Sequence, residues 1–210
     1  MTPGADPPAE GFPGRPVLRT IHAGRVFARI YDGRWYTDGI GFRHFGPHPR
    51  GRFDPQPAGP PVHTPDVAVC YLASTLRCAV AETFGDARRV SPSPTQRLAV
   101  VSLNRDVRLA DTRGRSAVQL GVAAGALRSR DRELTQSVAR RLHDGTAAHG
   151  VLYEGWFTGE TCVCLWERAA DAVTLVDDRA LVDPYVWADL LVIADELFYA
   201  VPALGAPEAG

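Results

Sequence analysis

The stretch "YLASTLRCAVAETF", residues 71–84, is small and apolar but carries one carboxylate, Glu82, near its end. Glutamate is almost never buried without a partner. Glu82 therefore either sits in water at a helix flank or faces a cavity where its charge has a role. The complementary charge lies upstream. Arg25, Arg29, Arg34, Arg43, Arg50 and Arg52 are interleaved with Tyr31, Trp35, Tyr36, Phe42, Phe45 and Phe53. Guanidinium forks bind phosphates through paired hydrogen bonds, and aromatic faces stack on flat rings. A ligand with a pyrophosphate and aromatic bases suits this set. A solvated charged loop and single-stranded RNA suit it as well.

Other chemical signatures are missing. "GIGFRHFG" places glycines at 39, 41 and 46, which is not G-x-G-x-x-G, and no helix is expected after it. A phosphate loop of the G-x-x-x-x-G-K-[ST] type is excluded because the chain has no lysine; all 23 basic residues are arginine. Neither G-x-S-x-G nor H-E-x-x-H occurs. His44 and His48 are four apart but lie among prolines and glycines, where that spacing has no helical meaning, so they read as loop histidines. Cys70, Cys78, Cys162 and Cys164 lie inside apolar runs without metal-ligand spacing, so they read as core thiols and no metal is expected.

The elements that must position these residues can be read from pattern. Residues 17–31 hold one or two short strands. Residues 32–66 are dense in Gly, Pro, His and Arg and read as a long loop, a feature often functional in a compact domain. "VAVCYLA" (67–73) reads as a buried strand. Ser74 or Thr75 then caps a helix that Gly85 ends, with Leu76, Ala79, Val80 and Thr83 as its packed stripe. Strands are expected at 97–103, 107–111, 150–155, 161–167 and 172–178, and helices at 116–127 and 131–144. The last helix, within 185–201, should pack through Trp187, Leu190, Leu191, Ala194, Leu197 and Phe198. Strands outnumber helices and do not alternate regularly with them, which predicts an α+β domain with a mixed or antiparallel core and flanking helices.

The 210 residues, 45% hydrophobic, suffice for one domain with a real core. A formal net charge of −1 gives no strong field toward nucleic acid or membrane. The longest apolar stretch, 185–201, contains Asp189, Asp195 and Glu196 and does not read as a membrane span. The Pro- and Gly-rich residues 1–16 read as a disordered arm without an apolar signal core, which predicts a cytoplasmic location.

The blocks "RIY" (29–31), "GRFDP" (51–55), "YLASTLRCAVAETF" (71–84) and "GVLYEG…TCVCLW" (150–166) resemble, in order, those of the RES domain family. Over about residues 25–180 the chain is similar to that family, with the domain then spanning 17–204 and a tail at 205–210. The resemblance implies a fold related to ADP-ribosyltransferases. It implies a toxin of a bacterial toxin–antitoxin pair that degrades NAD+ as substrate, restrained by an Xre-type antitoxin, with nucleic acid met only through that antitoxin. It puts Arg29, Tyr31, Arg52, Tyr71 and Glu82 in the dinucleotide site, with Glu82 and Arg52 catalytic. The family serine falls where this chain has Gly155, two positions after Tyr153; Thr158 and Thr161 are the nearby hydroxyls. Cleavage of the nicotinamide–ribose bond passes through an oxocarbenium-like state and has a good leaving group, so the need is an anion beside the developing cation and a grip on the phosphates. Water, inorganic phosphate or a macromolecule could be the acceptor, which leaves glycohydrolase, phosphorylase and ADP-ribosyltransferase open. An impaired NAD- or ADP-ribose-binding module is the alternative that Gly155 raises. Oligomeric state is left open.

Overall fold

Strand β2 (Val26–Asp32) organises the molecule because it has unlike neighbours on its two sides. On one side it pairs along its whole length with β6 (Gln96–Leu103), from Val26↔Ser102 to Asp32↔Gln96. On the other it meets β5 (Val69–Ala73) only at Ala28↔Ala73. Beyond that pair the two strands diverge, and the sheet is split.

The computed structural model describes residues 12–123 and 125–202. With β1 (Leu18–Ile21), β7 (Val107–Asp111), β8 (Gly150–Glu154), β9 (Thr161–Trp166) and β10 (Val173–Ala180), these strands form one eight-stranded sheet. Its order is β1-β7-β8-β9-β5-β2-β6-β10. Only β7 and β8 run parallel. A parallel pair needs a crossover, supplied here by α2 (Gly114–Gln119), a 3-10 turn at Ala126–Arg128 and α3 (Arg132–Gly145). The two short strands β3 (Phe45–Gly46) and β4 (Val62–His63) form a separate ladder inside the long 33–66 segment. The fold is α+β with a mixed core, as the element pattern predicts.

Alternation along the strands gives the sheet two apolar faces. Ala28, Val69, Tyr153, Cys162, Cys164 and Trp166 pack with α1 (Leu76–Phe84), α2, α3 and Phe53. Phe27, Tyr31, Cys70, Leu72, Val163 and Leu165 form the opposite face, covered by the 36–42 loop and a 3-10 helix at Glu167–Ala172. The outer side of α1, through Val80 and Phe84, meets Val186, Leu190 and Ala194 of α4 (Pro184–Glu196).

Helix α1 starts where the sequence predicts, because Thr75 Oγ1 accepts the Cys78 N–H and satisfies a donor of the first turn. Its buried stripe is rotated from the expected one. Cys78, Ala79, Val80, Ala81 and Phe84 are buried, whereas Thr83 is exposed and donates to Ala79 O. The helix expected over 116–127 breaks after Gln119, because Gly121 takes a left-handed φ of 77°. The last helix buries Val186, Leu190 and Ala194, with Trp187 and Leu197 packed against them, and leaves Leu191 and Phe198 exposed. Residues 1–11 of the expected arm and 203–210, with the tail, lie outside the described residues. Within 12–16, Gly14 N–H donates to Gln119 O at 3.0 Å and Phe12 packs on the core, so these residues lie against the domain. Among the described residues, no helix is long and apolar enough to cross a membrane.

Candidate active site

Where β5 and β2 part, the 33–66 segment hydrogen-bonds to β5 through Arg43 and Val69, and with β5, α1 and β8 it lines a cavity of about 920 Å³. Glu82, Arg52, Tyr71 and Tyr153 line its inner end. The inner wall depends on a buried carboxylate that sequence reasoning did not single out. Asp54 is fully buried and accepts from Arg43 Nη2 at 2.9 and 2.7 Å, from His48 N at 2.7 Å and from Tyr71 Oη at 2.7 Å. Tyr71 Oη in turn accepts the Phe53 N–H at 2.9 Å. Gly51 is required beside it, since a Cβ there would meet Asp54 Oδ1 at 2.3 Å. Phe53 is completely buried against the sheet, which contributes ~1.5–3 kcal/mol for a side chain of this kind and anchors the residue next to Arg52. The one available signal was the acid inside "GRFDP", flanked by residues that must pack.

Arg52 is only 5% exposed. Its Nη2 donates to Glu154 O at 3.0 Å and lies 3.4 Å from Glu82 Oε2, and its guanidinium carbon sits 4.6 Å from the Tyr153 ring centroid. Its Nη1 is buried with no hydrogen-bond partner. A buried, charged donor without a partner is costly, so this nitrogen marks a place for an anion. Glu82 answers the question its sequence raised. Its side chain is about a quarter exposed (26%), it lines the cavity, and its Oε1 accepts the Phe157 N–H at 3.3 Å.

Burial, then nearby negative groups, push the Tyr71 phenol well above its ordinary range. Burial does the same for Tyr153, so both line the cavity as neutral rings. Burial, reinforced by the Arg43 charge, pulls His48 below the usual imidazole value.

Gly155 lies beside Glu82. A Cβ there would stand 3.1 Å from Cys78 Sγ, 3.2 Å from Glu82 Oε1 and 3.4 Å from Cys162 Sγ. Two thiols thus occupy the space beside the glycine. They are 3.3 Å apart, and their hydrogen bond lowers the Cys78 pKa and, with burial, raises that of Cys162. All four cysteines are buried, as their apolar settings predict. Thr158 Oγ1 accepts from Glu160 N and Thr161 Oγ1 from Arg113 Nη1; neither threonine lines the cavity.

Two predicted site residues are not brought here. Arg29 and Tyr31 alternate with Ala28 and Ile30, which puts them on the sheet face away from α1. Arg29 Nη1 donates to Gly39 O at 3.0 Å, Gly41 O at 2.8 Å and Cys70 Sγ at 3.1 Å. Its guanidinium carbon lies 4.4 Å from the Tyr36 ring centroid, so Arg29 backs the cavity wall without lining it. Tyr31 Oη donates to Asp178 Oδ2 at 2.5 Å, and burial with that hydrogen bond pushes its pKa up to about 12. Arg52, Tyr71, Glu82 and Gly155 do converge. Among the described residues no cluster of three or more His, Cys, Asp or Glu could hold a metal ion.

Comparison with known proteins gives three findings. A family model described as the RES domain matches residues 25–188. No curated protein matches the chain. The fold is similar to a chain in the crystal structure of the M.tuberculosis MbcT-MbcA toxin-antitoxin complex, with a TM-score of 0.58 and 16% identity over 82% of this chain and 92% of that one.

Proposed function

The chain belongs to the RES domain family, and from that premise we propose that it cleaves the nicotinamide–ribose bond of NAD+. The observation that carries this reading is the pairing of Glu82 with Arg52, whose second terminal nitrogen is buried and unpartnered at the cavity. Glu82 supplies the anion beside the sugar carbon as positive charge develops there. Arg52 holds an anionic group of the substrate, or an attacking phosphate, through Nη1. The partly exposed Tyr71 ring offers a neutral wall for the nicotinamide, and the buried Tyr153 ring supports Arg52 from beneath. Arg29 and Tyr31 contribute by holding the strands and the 39–41 loop rather than by touching ligand. Water or inorganic phosphate is the acceptor, and transfer to a macromolecule is a third route for the same activated sugar. The solved complex of similar fold supports a toxin role in which an antitoxin, Xre-type by the family resemblance, restrains the chain in the cytoplasm.

The test is free nicotinamide released from NAD+ by the pure protein, with and without phosphate. Release is expected, and Glu82→Gln is expected to reduce it at least ~100-fold with the fold retained, by analogy with losing one preorganised electrostatic contact. Folded wild-type protein that releases none under either condition rules the reading out.

A second reading, binding of the dinucleotide without cleavage, is favoured by Gly155, where no hydroxyl stands beside Glu82. It predicts heat of binding with NAD+ but no nicotinamide.

A further inference from the structure

The cavity extends well beyond Glu82 and Arg52. At about 920 Å³ it lies in the upper part of the range for ligand pockets, and its outer end is built from a different set of groups. The ladder of β3 and β4 sets Phe45 directly opposite His63. The His63 ring stacks on His44, with centroids 5.7 Å apart and planes 24° from parallel. Trp35 lines the same cavity. Phe45 and Trp35 are 51% and 76% exposed, and both line the cavity. Large aromatic rings held at a pocket mouth with so much free surface are suited to covering a flat partner.

Guanidinium groups line the same cavity, those of Arg43, Arg50 and Arg52. Arg43 is committed to Asp54, so Arg50 and the unpartnered Arg52 Nη1 are the guanidinium donors the cavity offers, and among the described lining residues Glu82 is the one carboxylate. The cavity thus brings together a carboxylate, guanidinium groups and exposed aromatic rings. This set matches a molecule with a glycosidic carbon, a diphosphate and a second flat base. Diphosphate contacts cannot tell a dinucleotide from other phosphorylated sugars; a stacked base can.

We infer that the rim of Phe45, His63, His44 and Trp35 binds the purine of the dinucleotide and makes the chain select NAD+ over nicotinamide mononucleotide. This rests on the proposed cleavage of NAD+, and it adds a specificity site remote from the reacting bond. Stacking of one base corresponds to roughly 5- to 150-fold in affinity.

The experiment has two arms. In the first, kcat/KM for nicotinamide release is measured with NAD+ and with nicotinamide mononucleotide, for wild type, Phe45→Ala and His63→Ala. Wild type is expected to prefer NAD+ about tenfold or more, and each variant to move that ratio toward one. An equal preference in wild type, or a variant that loses both substrates in the same proportion, overturns the inference. In the second arm, ADP-ribose and ribose 5-phosphate are titrated calorimetrically. The variants should weaken ADP-ribose about tenfold relative to ribose 5-phosphate. ADP-ribose that fails to bind wild type, or binds the variants equally well, also overturns it. Selective weakening of ADP-ribose in a protein that releases no nicotinamide upholds the rim and removes the cleavage reading.

Discussion

Arg52 and Arg29 are both arginines buried beside tyrosines, 5% and 6% exposed, and they do opposite things. Arg29 directs one terminal nitrogen at two loop carbonyls and a thiol, and its neighbour Tyr31 is tied to Asp178. Arg52 has one terminal nitrogen on Glu154 O and near Glu82, and the other on nothing in the protein. A buried charge whose donors are occupied by backbone holds a fold together. A buried charge with an unoccupied donor, at a cavity, is available for chemistry. Residue type and burial do not separate the two; the partners do.

Removing each arginine sharpens the contrast. Arg52→Met is expected to cut nicotinamide release ~100-fold or more while shifting the chemical-denaturation free energy by under ~1 kcal/mol, since it also deletes an uncompensated buried donor. Arg29→Met is expected to cost about 3 kcal/mol of stability, because the Gly39 and Gly41 carbonyls lose a charged donor in a buried setting. Equal stability losses in the two variants would break the comparison. Tyr31→Phe removes one hydrogen bond to a carboxylate and is expected to lower stability by about 1.5 kcal/mol, with KM for NAD+ unmoved.

The smallest effect is set by pH at a polar cluster that does not line the cavity. His143 Nε2 lies 2.9 Å from Glu167 Oε1. Burial alone would lower the His143 pKa, but hydrogen bonds to Glu167 and Asp144 outweigh it and raise the value above 6.5. Burial alone would raise Glu167, and the bond from His143 outweighs it and lowers the value below 4.5. His143 thus binds its proton more tightly when folded, so its contribution is complete below about pH 6.5 and fades as pH rises through the folded value. Glu167 contributes above about pH 4.5 and fades as pH falls through its own. The pair should be worth most between those limits. Thermal midpoints at pH 5.5 and 8 should differ less in His143→Gln than in wild type.

Much of this was legible in the sequence. The Thr75 cap, the strand–helix corner and the position of Glu82 follow from local chemistry, and Gly155 was visible as a departure from a pattern. The sides of β2 were not legible. Alternation fixes that Arg29 and Tyr31 share a face, but which face carries the site depends on how β2 meets β5, and they touch at a single pair. Asp54 escaped notice because its four contacts come from residues 43, 48 and 71, brought together only by the fold. Phe198 lies beyond the end of α4, where it takes a φ of 55° and is exposed, so it falls off the stripe that Trp187, Leu190, Ala194 and Leu197 keep.

The crowding at Gly155 makes mutations there interdependent. A serine needs room that the Cys78 sulfur holds, so Gly155→Ser alone should strain the α1–β9 contact, whereas Gly155→Ser with Cys78→Ala should be tolerated. Measured as a double-mutant cycle, the two changes should fall short of additivity by 1 kcal/mol or so. A hydroxyl at 155 is therefore accommodated more readily once position 78 is smaller.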